Sequence, residues 1–125
     1  MADISKHKVL VAEDTESNFL LVSYILRGEY EILRAHDGIE TLDIYEKEHP
    51  DIILMDIRMP RLGGLTTASH IRSIDPHIPI IAITAFALDS DRAKTIEAGC
   101  TDFMAKPISA QALKDMIRKY LPTQE

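Results

Sequence analysis

Glu13, Asp14, Asp56, Thr84 and Lys106 are the residues of this 125-residue chain whose types and positions could do chemistry, because each follows a short apolar run. Glu13-Asp14 follows Val9 to Ala12, Asp56 follows Ile52 to Met55, Thr84 follows Ile80 to Ile83, and Lys106 follows Phe103 to Ala105. If the runs are strands of one parallel sheet, the five side chains converge, since such sheets bind ligands beyond the carboxyl ends of their strands, where strand order reverses. Two unit charges about 4 Å apart repel by about 4 kcal/mol at an effective dielectric near 20, so three gathered carboxylates do not all stay ionised without a cation. A hard divalent ion resolves this. Mg²⁺, for which Mn²⁺ can substitute, takes carboxylate, carbonyl and water oxygens, and no His or Cys stands beside these acids to favour zinc. Three carboxylates, Lys106 and Mg²⁺ sum formally to zero. An acyl phosphate on Asp56 would leave about −1, with Lys106 and the metal both holding phosphoryl oxygens. Taken singly, Asp14 could as well cap a helix, Thr84 close a turn and Lys106 face solvent; their joint occurrence at four run ends is what argues for a site.

The elements that must position them are legible as an alternation of apolar runs with longer segments of helical period. Val9 to Ala12, Ile52 to Met55 and Ile80 to Ile83 are almost wholly apolar, as parallel strands covered on both faces should be. Tyr30 to Ala35, with Glu31 and Arg34, suits one edge of the sheet and Phe103 to Ala105 the other. Leu113, Met116, Ile117, Tyr120 and Leu121 recur at i, i+3, i+4, i+7 and i+8, an amphipathic helix capped by Ser109. Asp37-Gly38-Ile39-Glu40, a capping acid with Glu three residues on, opens another helix through Leu42 and Tyr45. Helices also fit residues 16 to 27, 65 to 74 and 89 to 98. Right-handed crossovers then give a doubly wound, flavodoxin-like (βα)₅ α/β domain with a parallel five-stranded sheet of order 2-1-3-4-5. One domain is expected over residues 1–125, with its core at about 7–121.

Composition narrows the partners. A formal charge of −6 argues against a nucleic-acid or anionic-membrane surface, which needs clustered Lys and Arg. Cys100 is the single cysteine, so no internal disulfide forms and a reducing cytoplasm is the expected compartment. The start has too short an apolar run for a signal peptide, and no stretch approaches a membrane span. His7, His36, His49, His70 and His77 are scattered without metal spacing and are expected at the surface. Met55 and Met59 flank Asp56 and are expected to pack.

VLVAED, DIILMDIRMP, IIAITA and AGCTDFMAKPI together resemble the receiver domain of bacterial response regulators and hybrid sensor histidine kinases, over nearly the whole length. The resemblance implies a phosphoacceptor signalling domain of a two-component phosphorelay, which is not an enzyme beyond its own phosphorylation and dephosphorylation. It implies that Asp56 is the phosphoacceptor, Asp14 a direct Mg²⁺ ligand, Glu13 a ligand through water and the Arg58 backbone carbonyl a further ligand. Thr84 and Lys106 would each hold a phosphoryl oxygen, with Thr84 and Phe103 as switch residues. A cis bond at Lys106-Pro107 is implied as well, in a tight turn that aims Lys106 inward. The implied partner is a histidine kinase or histidine phosphotransfer domain, and the implied state a monomer or a weak phosphorylation-dependent dimer. The stretch TAFALDSDRAKTIEAG is nearer to receivers of hybrid kinases. Gly64 matches the family glycine, whereas Gly63 stands where the family often has Asp or Asn, which predicts a looser loop after Asp56.

A small Mg²⁺-dependent phosphohydrolase of the haloacid dehalogenase type is the competing reading, for which Asp14-Thr15-Glu16 supplies only half of an Asp-x-Asp signature. A flavin carrier of the same fold would need a phosphate-cradling first loop, and Glu13-Asp14-Thr15-Glu16 would repel phosphate. For the switch, Ala93, Ile96 and Ala98 are the only apolar residues between Asp89 and Gly99, so this helix should be weakly attached. Drawing the Thr84 hydroxyl toward a phosphate would pull the Ala85-Phe86-Ala87 loop inward and open space for Phe103.

Overall fold

The computed structural model describes residues 6–59, 61–85 and 89–121, with backbone alone at 89–91. Five strands alternate with five helices: β1 (Lys8–Ala12), α1 (Glu16–Leu26), β2 (Glu31–Ala35), α2 (Gly38–Glu48), β3 (Ile52–Asp56), α3 (Gly64–Ile74), β4 (Ile80–Thr84), α4 (Asp89–Glu97), β5 (Asp102–Ala105) and α5 (Ala110–Tyr120). Every pairing is parallel, in the order β2-β1-β3-β4-β5. The apolar runs form the sheet centre and the mixed runs its edges, as the sequence predicts.

Successive strand residues point to opposite faces, and two cores result. Leu10, Ile53, Met55, Ile80 and Ala82 pack with Tyr45, Ala68 and Ile71 under α2 and α3. Val9, Val11, Ile52, Leu54, Ile81 and Ile83 pack with Val22, Leu26, Leu113 and Ile117 under α1 and α5. Met55 and Met59 are both in the first of these cores.

The helix starts follow the local chemistry. Ser109 accepts the Ala112 N–H at 3.3 Å and Asp37 the Glu40 N–H at 2.8 Å. The Glu40 carboxylate reaches back one residue beyond the cap, to the His36 N–H at 2.8 Å. α3 is capped by Gly63, which has no side chain to offer. Its φ of −64° is ordinary and a Cβ there would meet open space, so the departure at this position removes a cap and imposes no unusual backbone. Gly64 is different: a Cβ would lie 2.5 Å from the Asp56 carbonyl oxygen and 2.8 Å from the Ile57 Cα. Only glycine lets α3 start this close to the end of β3. The Lys106-Pro107 bond is cis.

Candidate functional site

Asp56 and Thr84 are the last residues of β3 and β4, and Glu13 and Lys106 stand one residue past β1 and β5. The backbone ladder continues past these ends. Glu13 N–H donates to the Ala35 carbonyl at 2.9 Å, Ile57 N–H to Ile83 at 3.2 Å, and Lys106 N–H to Thr84 at 2.8 Å. The peptides from which the site residues project are thereby held by neighbouring strands rather than by mobile loops. Both acids of the β1 end and Asp56 of β3 flank the place where the chain order reverses, since β1 is hydrogen-bonded to β2 on one side and β3 on the other.

The structure brings the acids together. One carboxylate oxygen from each of Glu13, Asp14 and Asp56 lies within 4.8 Å of the others. Glu13 and Asp56 are buried, with 4% and 6% of their surface exposed, and Asp14 is exposed at the rim. Asp56 Oδ1 accepts the Arg58 N–H at 2.9 Å and Oδ2 accepts from Lys106 Nζ at 3.3 Å. Lys106 Nζ also lies 3.7 Å from Glu13 Oε1. Arg58 thus meets Asp56 through its N–H. The helix cap before α1 is Thr15, with no side-chain bond, so Asp14 is not used as a cap.

One ammonium does not neutralise this cluster. Burial, then a hydrogen bond to the Asp56 carboxyl and the Asp56 charge, push the Glu13 carboxyl up to about 7, against the Thr15 N–H and Lys106, which pull it down. Near neutrality Glu13 is part-protonated where a cation would otherwise sit. An all-oxygen donor set of two buried acids and one acid open to solvent fits a hard, partly hydrated Mg²⁺.

Thr84 is buried at the end of β4 and Phe103 is buried on β5, with the Arg92 guanidinium 5.1 Å from its ring centroid. Of the loop expected to move, Ala85 is exposed, while Phe86 and Ala87 lie outside the described residues. The five histidines are exposed or half-buried, as expected from their scatter. Sequence reasoning missed two arginines. Arg61, at φ +66°, ties the loop after Asp56 to the α2 cap through Asp37, with Nη2 to Oδ2 at 2.6 Å. Arg34 touches the β1–α1 loop: Nη2 donates to the Glu13 carbonyl at 3.2 Å. The available signal was a guanidinium on an edge strand whose inward-facing positions lie beside acids.

Residues 9–118 match the family model of the response regulator receiver domain. The polar-differentiation response regulator DivK of Brucella ovis is 37% identical over 116 residues, covering 90% of this chain and 94% of that protein. The receiver domain of the sensor histidine kinase PA1611 from Pseudomonas aeruginosa, solved with a magnesium ion coordinated in its active-site cleft, superposes with a TM-score of 0.87 at 32% identity, covering 95% of this chain and all of that one. The receiver domain of Ssk1, co-crystallised with the histidine phosphotransfer protein Ypd1 of Saccharomyces cerevisiae, superposes at 0.86 with 26% identity, covering 95% and 91%. The haloacid-dehalogenase reading gains nothing: its nucleophile would be Asp14, which is exposed, while the buried acid beside the lysine is Asp56. Fold, site and sequence agree, and the chain belongs to the response regulator receiver family, the signalling domains of two-component phosphorelays.

Proposed function

We propose that Asp56 accepts a phosphoryl group from a phosphohistidine on a histidine kinase or histidine phosphotransfer domain, with Mg²⁺ held by Glu13, Asp14, Asp56 and the Arg58 backbone carbonyl. The observation that carries this is the position of Asp56. It is the buried acid at the end of β3, its Oδ2 is 3.3 Å from Lys106 Nζ, and two further carboxylates stand within metal-ligand reach. An Asp56 oxygen attacks phosphorus, the O–P bond forms as the N–P bond to the donor imidazole breaks, and the imidazole leaves with the electron pair. Lys106 takes one phosphoryl oxygen and Thr84 another, offsetting charge that the buried carboxylate alone could not carry. When bound, Mg²⁺ neutralises the acids and binds a phosphoryl oxygen, and Mn²⁺ serves the same role.

The domain turns over only its own phosphate and acts as a switch in which Thr84 and Phe103 communicate the modified state. Residues 1–125 are read as one receiver domain, cytoplasmic, contacting neither nucleic acid nor membrane, and a monomer or a weak dimer on phosphorylation. Among the described residues no helix is long and apolar enough to cross a membrane. Incubation with acetyl phosphate followed by intact-protein mass tests the reading. A phosphate adduct is expected with Mg²⁺ and is lost in excess chelator and in Asp56→Asn; an adduct that persists in either refutes the assignment.

A further inference from the structure

Arg34 is a charged residue on an edge strand, yet its side chain is only 16% exposed. Its guanidinium carbon lies 4.4 Å from the centroid of the Phe19 ring. Nη1 donates to Glu16 Oε1 at 2.5 Å and Nη2 to the Glu13 carbonyl at 3.2 Å. Nε is buried without a hydrogen-bond partner among the described residues, so the ring and the two terminal nitrogens are what hold the group in place. These contacts join β2 to the β1–α1 loop and the start of α1.

The consequence falls on one peptide. Glu13 N–H already donates to the Ala35 carbonyl, so β2 occupies both backbone polar groups of Glu13, one through Ala35 and one through Arg34. The Glu13 carbonyl belongs to the planar peptide that links Glu13 to Asp14. Fixing that plane fixes how the two adjacent side chains diverge, Glu13 into the cluster and Asp14 at its rim.

We propose that Arg34 is a positioning residue for the metal, holding the Glu13–Asp14 peptide so that both carboxylates reach one ion; this rests on the reading of Glu13, Asp14 and Asp56 as the Mg²⁺ site. The sign of the effect separates this role from that of a mere charge. A cation beside a metal site repels the ion, so if charge were its whole contribution, removing Arg34 would tighten Mg²⁺ binding. Positioning predicts weaker binding, and groups that orient metal ligands typically change affinity by about 10–100-fold.

Calorimetric and amide-shift titrations with MgCl₂ on the whole chain test it, using wild type, Arg34→Ala and Arg34→Lys. Lysine keeps the charge and an aliphatic stem but lacks the fork that reaches Glu16 and the Glu13 carbonyl together. Both variants should bind Mg²⁺ about tenfold more weakly or worse. The loss should appear in the Mg²⁺ concentration that half-saturates phosphorylation by acetyl phosphate, and not in the rate at saturation. If Arg34→Ala does not fold, Arg34→Lys decides. Affinity equal to or tighter than wild type in the folded variant overturns the proposal, as does a loss confined to the saturating rate. A wild-type chain that binds no Mg²⁺ would instead bring down the metal reading itself, and the inference with it.

Discussion

β3, which ends in Asp56, and α4, which packs on β5, are built in opposite ways. Every residue of β3 from Ile52 to Asp56 is buried, and the strand is paired on both sides. Of the described side chains of α4, from Arg92 to Glu97, only Thr95 is buried, and Ile96 is 48% exposed. α5, on the other side of β5, buries Leu113 and Ile117 and has a Ser109 cap. A receiver has two needs that one element cannot meet. The acids must be held stiffly enough to bind an ion, and some element must be held loosely enough that a few new contacts at the phosphoryl group can move it. In this chain the buried centre of the sheet is suited to the first need and the sparsely buried α4 to the second.

The largest expected difference between the two regions is in stability. Leu54→Ala should cost about 2–5 kcal/mol, because Leu54 is wholly buried in β3 and the truncation leaves a cavity. Ile96→Ala should stay within about 0.5 kcal/mol. Urea unfolding of both variants checks this, and comparable losses would erase the contrast.

The pH dependence of the metal-free protein follows from Glu13. Its folded-state value, about 7, is above the ordinary 4.5, so the folded protein binds the extra proton. The stability this proton contributes is fully present below about pH 4.5 and is lost as pH rises through about 7. Saturating Mg²⁺ should remove the decline. Asp37 acts in the other direction: the Glu40 N–H holds its carboxyl below the usual range, against burial and with help from Arg61, so its contribution is lost as pH falls through that lowered value. Thermal midpoints from about pH 2 to 8, with and without Mg²⁺, would show both limbs, and a metal-free midpoint that rises from pH 5 to 7 would contradict the Glu13 account.

A third outcome concerns coupling between the regions. Thr84→Ala should still accept phosphate on Asp56 but lose most of the amide chemical-shift change across residues 86–106. Undiminished changes there would mean that coupling runs elsewhere. The smallest effect is at Gly63. Gly63→Asp supplies the missing cap of α3 where a Cβ meets nothing, and should stabilise by a few tenths of a kcal/mol; a loss would show that the loop needs its glycine.

The sheet order, both edges and the approach of Glu13, Asp14, Asp56 and Lys106 to one another were legible because apolar runs specify parallel strands and parallel sheets place ligands at one edge. Finer features were not. Thr95, a polar residue, is the buried one on α4 while the apolar Ile96 is exposed, because the helix register decides which side chain faces β5. Arg34 reads as a solvent-facing edge residue, since its burial depends on Phe19, Glu16 and the Glu13 carbonyl, which lie elsewhere in the chain and meet only on folding. The same holds for the Arg61–Asp37 pair, where a left-handed residue in one loop meets the cap of a helix beginning far earlier.

The central claim is that the buried acid, and not the exposed one, carries the phosphoryl group. Borohydride reduces an acyl phosphate to an alcohol, converting the modified aspartate to homoserine, and peptide sequencing then reads its position. After reaction with acetyl phosphate and Mg²⁺, homoserine is predicted at position 56 with aspartate intact at position 14. Homoserine at position 14, or at neither position despite a phosphate adduct on the intact protein, would contradict the account.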